Sequence, residues 1–220
     1  MTLYKGNSKI KDRGSFGVYA GSQPIKKIYH GSTLVYEYES YDPDEVVLNI
    51  TNSTQTITLK RGVYDLCITG GGGNLGTAVI VISGNPVGTS NGGGSGATFE
   101  GTFYNPSDVS ATFKAGGNAE DSTITIGGTV VLTAHHGVSA PNSTGDGGEG
   151  GAIPTISESF EVLTTRKKVA GNHGLAWKIG KDQDGGDTTS TYKWGEGATV
   201  HTTGAVQAGG IRLQYLRFDK

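Results

Sequence analysis

The chain reads as all-β: a small N-terminal hairpin module followed by a glycine-rich antiparallel domain, β-sandwich-like, with long glycine loops. Three observations predict this class. Apolar and polar residues alternate over short runs, the period of a half-buried strand. Turn signals such as Gly127-Gly128 separate those runs. Finally, 38 of the 220 residues are glycine, more than twice the ordinary share of about 7%. A helical bundle is thereby excluded, because an interior helical glycine costs about 1 kcal/mol and no sustained 3.6-residue apolar stripe exists. Collagen is excluded too, since the glycines have no strict third-position period and there are only 6 prolines.

Residues 1–40 form the first unit and carry an internal repeat. The stretches starting at Tyr4, Tyr19 and Tyr29 each read Tyr-x-Gly-(Asn/Ser)-x-x-(Ile/Val), with turns at Gly6, Gly21 and Gly31. Their irregular spacing fits a ribbon of hairpins rather than a solenoid. A ribbon of about 40 residues is marginal in water by itself, so it is expected to dock on the rest of the chain or on a partner.

The second unit runs over 41–220. Val46, Leu48 and Ile50 alternate, as do Ile57 with Leu59, and Tyr64 with Leu66 and Ile68. Further strands are predicted over 78–82, 97–103, 109–113, 123–126, 129–133, 160–164, 175–179 and 211–218, so that the C-terminal strands fall within 160–218. Residues 158–168 are the best helical stretch, yet their Val, Thr and Phe favour strand at least as strongly. Glycine is concentrated between strands: 6 fall in 1–69, 22 in 70–151 and 10 in 152–220. The runs at 70–73, 91–96 and 145–151 either stay mobile or pack as extended backbones of polyproline II type, which a bare Cα permits.

Charge and cysteine usage narrow the function classes. A net charge of −2 offers no positive face for nucleic acid or an anionic membrane. Lys26-Lys27 and Arg166-Lys167-Lys168 read as short solvated runs. One cysteine, Cys67, excludes an intrachain disulfide framework and argues against a cysteine-based zinc site. The first residues lack the apolar core of a signal peptide, and no apolar run approaches a membrane span, so synthesis in a cytoplasm is expected, without membrane insertion.

Several motifs lose to their context. Gly71-x-Gly73-x-x-Gly76 follows a strand and spells the dinucleotide fingerprint, but the β-branched run after it cannot start the helix that pyrophosphate binding requires. Asp182, Asp184 and Asp187 miss the calcium-loop spacing and read as a solvated acidic turn. His135 and His136 sit at a predicted strand end, where neighbours face opposite ways, so they cannot chelate one ion from one chain; across a three-fold axis, one His per chain would suffice. No metal site or cofactor is expected. Cys67, on a predicted central strand, reads as an inert buried thiol. Trp177, Tyr192 and Trp194 lie close together in sequence near several carboxylates. Flat rings beside acceptors suit a sugar ring or a protein anchor, while the competing reading makes both tryptophans core anchors. Trp177, Tyr192, Trp194, His135 and His136 are therefore the candidate ligand-binding residues. No nucleophile elbow of the form Gly-x-Ser-x-Gly occurs.

The stretch 26–36, with Ile28-Tyr29-x-Gly31-Ser32-x-x-Val35-Tyr36, resembles a module common at the start of phage and prophage minor tail or virion proteins. The passage 62–73, Gly94-Ser-Gly-Ala-Thr-Phe99 and the closing 209–215 are similar to glycine-rich domains of phage tail fibres and adhesins, although the glycine tracts here are shorter and interrupted. The resemblance implies a non-enzymatic virion protein, homotrimeric, made in the host cytoplasm and contacting other virion proteins. Its N-terminal part would attach to the particle through the repeat residues Tyr4, Gly6, Tyr19, Gly21, Tyr29, Gly31 and Tyr36. Loops at 70–73, 91–96, 135–151 and 182–195 would face a bacterial surface glycan or protein. A head fibre, decoration or tail adaptor protein is the structural alternative, and a polysaccharide-degrading tail enzyme, requiring two carboxylates across a groove, is the third.

Overall fold

Two five-stranded antiparallel sheets, packed face to face, organise the chain from residue 41 onward. A computed structural model describes residues 3–5, 8–10, 18–20, 23–25, 27–37, 41–83, 85–142, 147–175, 185–186, 188–197 and 207–218. No helix occurs among them.

The N-terminal repeat forms three separate hairpins, β1 (Leu3–Lys5) with β2 (Ser8–Ile10), β3 (Val18–Ala20) with β4 (Gln23–Ile25), and β5 (Lys27–His30) with β6 (Thr33–Glu37). Each copy of the repeat therefore makes one hairpin with its Tyr in the first strand, and in the third copy Gly31 lies in the turn. None of the three joins the larger sheets.

The remaining strands are β7 (Val46–Thr51), β8 (Ser53–Leu59), β9 (Gly62–Thr69), β10 (Gly76–Ile82), β11 (Asn85–Asn91), β12 (Thr98–Asn105), β13 (Val109–Ala115), β14 (Ser122–Ile126), β15 (Thr129–Ala134), β16 (Thr155–Ile156), β17 (Val162–Val169) and β18 (Gly210–Arg217). Sheet one has the order β17-β12-β9-β18-β7, and sheet two β16-β15-β14-β13-β8. β10 and β11 pair only with each other, in a hairpin the sequence reading half anticipated: it found β10 and missed β11, whose Pro and Gly content conceals a strand. The strand expected from 160 starts at Val162, and the one expected from 175 does not include Leu175; residues 176–179 lie outside the described set.

Alternation explains the packing. Tyr64, Leu66, Ile68, Phe99, Phe103, Ile211, Leu213 and Tyr215 point inward from sheet one against Leu59, Ala111, Phe113, Ala115, Ile124, Leu132 and Ala134 from sheet two. Tyr64 stacks on Phe103 at 5.3 Å, and Phe103 meets Phe160 at 4.6 Å. The solvent face of sheet two carries Thr54, Thr56, Thr112, Thr123 and Thr125, β-branched polar residues that suit an exposed pleat; the Thr56 and Thr112 hydroxyls lie 2.8 Å apart. At the β14–β15 turn both glycines take positive φ, Gly127 at 56° and Gly128 at 83°, the primed geometry read from the sequence. The chain switches sheets at Asn52, in left-handed backbone at φ 43°.

Beyond one end of the sandwich, the glycine runs build a second core from backbone alone. Amides and carbonyls pair between extended segments with a step of three residues. Gly70 and Gly73 donate to Ala97 and Gly94 (3.1 and 2.8 Å), Gly94 and Ala97 to Val138 and His135 (3.0 and 2.8 Å), and Gly171 and Gly174 to Gly151 and Gly148 (2.8 and 2.9 Å). Parallel neighbours behave alike: Gly148 and Gly151 donate to Gly92 and Ser95, and Gly137 and Ala140 to Gly71 and Asn74. The same step governs packing. A Cβ placed on Gly70 or Gly73 would lie 2.3 or 2.1 Å from the His135 or Val138 carbonyl oxygen, while one on Gly71 or Gly72 would strike Gly117 or Glu196 instead. Three residues per turn with neighbours on three sides is the polyproline II repeat, in which only glycine allows such close backbones. At about 3.1 Å per residue, segments of five or six residues extend this lattice roughly 15–20 Å past the sheets. The runs at 70–73 and 91–96 are thus packed and buried, not display loops; of the run at 145–151, Gly148 and Gly151 are buried while 145–146 lie outside the described residues, and the shortness of the tracts does not prevent a glycine core.

Candidate functional site

The lattice gives the domain two unlike ends. At the base, Tyr41 packs edge-on against Tyr64 and Tyr215 (ring centroids 6.3 and 5.8 Å) and its hydroxyl donates to the Thr58 carbonyl at 3.0 Å. The Arg61 guanidinium covers the Phe218 ring at 4.5 Å in the same region. Residues 41 and 218 therefore both lie at the base. At the far end Ala140 donates to Asn74, Gly148 to Gly92, Gly174 to Gly148 and Gly197 to Gly186. Here the chain leaves the lattice after Asn74 and re-enters it at Gly92, and residues 142, 147, 175, 185, 197 and 207, which border segments outside the described residues, lie at the same end. This excursion is the β10–β11 hairpin, rooted by the Thr77 amide on Asn142 Oδ1 at 2.9 Å and by Asn91 Nδ2 on the Pro141 carbonyl at 3.2 Å.

This arrangement disposes of the dinucleotide fingerprint physically. Gly71 and Gly73 face the Gly117 and Val138 carbonyls, leaving no opening for a phosphate, and Gly76 begins a strand.

His135 and His136 correct the sequence reading. β15 ends at Ala134, so the two lie in lattice backbone, where strand alternation no longer applies, and both rings turn to one carboxylate. His135 Nδ1 is 3.2 Å from Asp121 Oδ2, and His136 Nδ1 is 2.6 Å from Asp121 Oδ1, which also accepts the His136 amide at 2.9 Å. Burial pushes the Asp121 carboxyl up, but the His136 amide and the two rings outweigh it and hold the carboxyl below the ordinary range. Asp121, which no sequence motif marks, thereby ties the root of segment 135–140 to β14. Asp121→Asn is expected to destabilise the domain by about 1–2 kcal/mol at neutral pH, discounted for partial exposure. A depressed folded pKa contributes stability above the unfolded value of about 3.9 that disappears as pH falls through the folded value. Urea titrations of both proteins should then differ at neutral pH and converge as pH falls through the carboxylate range.

The aromatic candidates divide. Trp177 lies outside the described residues, as do Asp182, Asp184 and Asp187. Tyr192 and Trp194 come together, stacked at 4.9 Å, with the Arg212 guanidinium 5.5 Å from the Tyr192 centroid. Trp194 lies flat on Gly210 of β18, where a Cβ would sit 2.2 Å from its Cδ2, so it anchors a cap over the outer face of sheet one. Tyr192, 42% exposed, is the accessible ring. Elsewhere in the cap, Thr191 donates its amide (3.0 Å) and hydroxyl (2.7 Å) to Glu100, and Thr189 donates to Thr98 at 2.7 Å. Lys167 donates to the Thr189 carbonyl at 2.8 Å, so the 166–168 run is not wholly solvated, and Arg166 pairs with Asp65. Burial raises the Glu100 carboxyl, and the Thr191 hydrogen bonds and Lys167 bring it below the ordinary range.

Cys67 lies under this cap, on the central strand β9, its Sγ 3.7 Å from Ser190 Oγ. Burial pushes its thiol up to about 12. Native protein at pH 8 should therefore resist iodoacetamide, with stoichiometric labelling appearing only once urea unfolds it.

Of the attachment candidates, Tyr4 pairs with Lys9, Tyr19 with Pro24, Tyr29 with Leu34 and Tyr36 with Ile28, while Gly31 turns at φ 61°. Gly6 and Gly21 fall outside the described residues. No group of three or more His, Cys, Asp or Glu side chains suited to a metal ion occurs among the described residues. No protein-family model matches the chain, and no curated protein matches it.

Proposed function

We propose that this chain is a structural protein of a bacteriophage particle, of the tail or fibre, that grips the host surface with the far end of its glycine lattice. The observation that carries the reading is the polarity of the domain. Residue 41, the first described residue after the hairpin module, lies at the base, and the β10–β11 hairpin leaves the opposite end. Adhesion needs such a division, with attachment at one end and contact surface at the other, on a spacer stiff enough to transmit load. The resemblance of segment 26–36 to virion modules and of segment 62–73 to tail adhesins supports the reading. The partner is a glycan or protein of the bacterial surface, and the role itself calls for no turnover.

The test replaces the β10–β11 hairpin by a short Gly-Ser link between Asn74 and Gly92. The labelled chain is offered to a panel of bacterial strains, and the variant to those strains the intact chain binds. Loss of binding with unchanged circular dichroism and melting supports the reading. Binding by the variant equal to that of the intact chain overturns the hairpin's part in it, and no binding to any strain favours a purely structural virion role. Native mass measurement decides between trimer and monomer.

A further inference from the structure

Asp121, His135 and Thr155 form a connected line that the adhesive role does not require. A carboxylate only accepts, so in the neutral imidazole the His135 Nδ1 facing Asp121 at 3.2 Å carries the proton and Nε2 is the acceptor. Thr155 Oγ1 lies 3.0 Å from that Nε2 and donates to it. Hydroxyl to imidazole, imidazole to carboxylate, with both distances within hydrogen-bond reach, is the arrangement that activates an oxygen nucleophile on several unrelated folds. His136, on the other oxygen of Asp121, leaves the carboxylate little freedom to turn away. Thr155 itself is exposed, at the start of the two-residue edge strand β16, and nearby Ile153 offers an apolar flank, 58% exposed.

We propose that Thr155 is an acyl-accepting nucleophile, with His135 as its base and Asp121 as the group that orients His135, acting on small acyl esters. Thr155 Oγ forms a bond to the ester carbonyl carbon while its proton passes to His135 Nε2. The carbon–oxygen bond to the alcohol then breaks, and the departing oxygen takes the proton back from His135. Water repeats the sequence on the acyl-Thr155, giving the free acid and the original hydroxyl, with no oxidant, metal or cofactor consumed. With Thr155 exposed and an apolar flank at Ile153 beside it, acetyl and similarly small groups, such as those esterified to surface sugars, are the substrate class. This role goes beyond adhesion and does not rest on it.

p-Nitrophenyl acetate, incubated with the full chain, is the probe. Expected are one acetyl group mapped to Thr155 by peptide mass spectrometry, loss of that adduct in Thr155→Val with its retention in Thr155→Ser, and slowing of p-nitrophenolate release by about 100-fold or more in His135→Gln. Acetyl found on His136 or lysines and not on Thr155 of the unaltered chain, or release unchanged in Thr155→Val, overturns the proposal and makes the line a structural tie.

Discussion

Gly94→Ala is expected to remove about 3–5 kcal/mol of unfolding free energy, at the upper end of what single substitutions do. The added Cβ would lie 1.8 Å from the Glu149 oxygen, 2.4 Å from its carbonyl carbon and 2.8 Å from the Gly150 nitrogen. All three are backbone atoms, so no side chain can rotate out of the way. Moving the Gly94 segment aside strains the hydrogen bonds from Gly73 to Gly94 (2.8 Å) and from Gly94 to Val138 (3.0 Å), and moving the Glu149 segment strains the one from Val138 to Glu149 (2.8 Å). Gly128→Ala is the control: it has open space around it but a φ of 83°, so its cost is that of a left-handed residue, about 1–2 kcal/mol. Urea unfolding of the two variants separates the effects. Equal losses would mean that the lattice is not closely packed around Gly94.

Phe103→Ala is expected to cost a similar amount, about 3–5 kcal/mol, by the opposite mechanism. Its ring is fully buried between Tyr64 and Phe160, and truncation leaves a cavity that the two flanking strands of sheet one cannot close. Val130→Ala, at a 52% exposed position, should change stability by less than about 0.5 kcal/mol in the same titration. The domain thus has two cores with inverse rules. One loses stability when side-chain atoms are taken away, the other when a single carbon is added.

The sheets were legible because burial on one face imposes a two-residue period, which Val46, Leu48 and Ile50 or Tyr64, Leu66 and Ile68 display openly. β11 was not, because Gly88 and Pro86 suppress the signal and its pairing depends on β10 alone. The lattice was legible only as a composition. Its three-residue step involves carbonyls of distant segments, and a glycine carries no mark of which neighbour it faces. The same limit hid the Asp121 node: nothing near position 121 announces that His135 and His136 converge there, because the turning of both rings depends on backbone that has left the strand. Tyr192 and Trp194 were found by proximity in sequence, yet their division of labour follows from Gly210, a residue that reads as punctuation until Trp194 is seen lying on it.

The alternating outward and inward course of the lattice segments also sets a timetable for synthesis. The amide of Gly72 donates to the carbonyl of Gln207, and that of Gly209 to Gly116, so segments made early wait for partners made almost last. Most lattice pairs span dozens of residues, a high contact order that slows folding because loop closure precedes its reward. On a ribosome the early sheet hairpins such as β13–β14 have their partners at once, whereas the glycine core is completed only when residues 207–209 emerge.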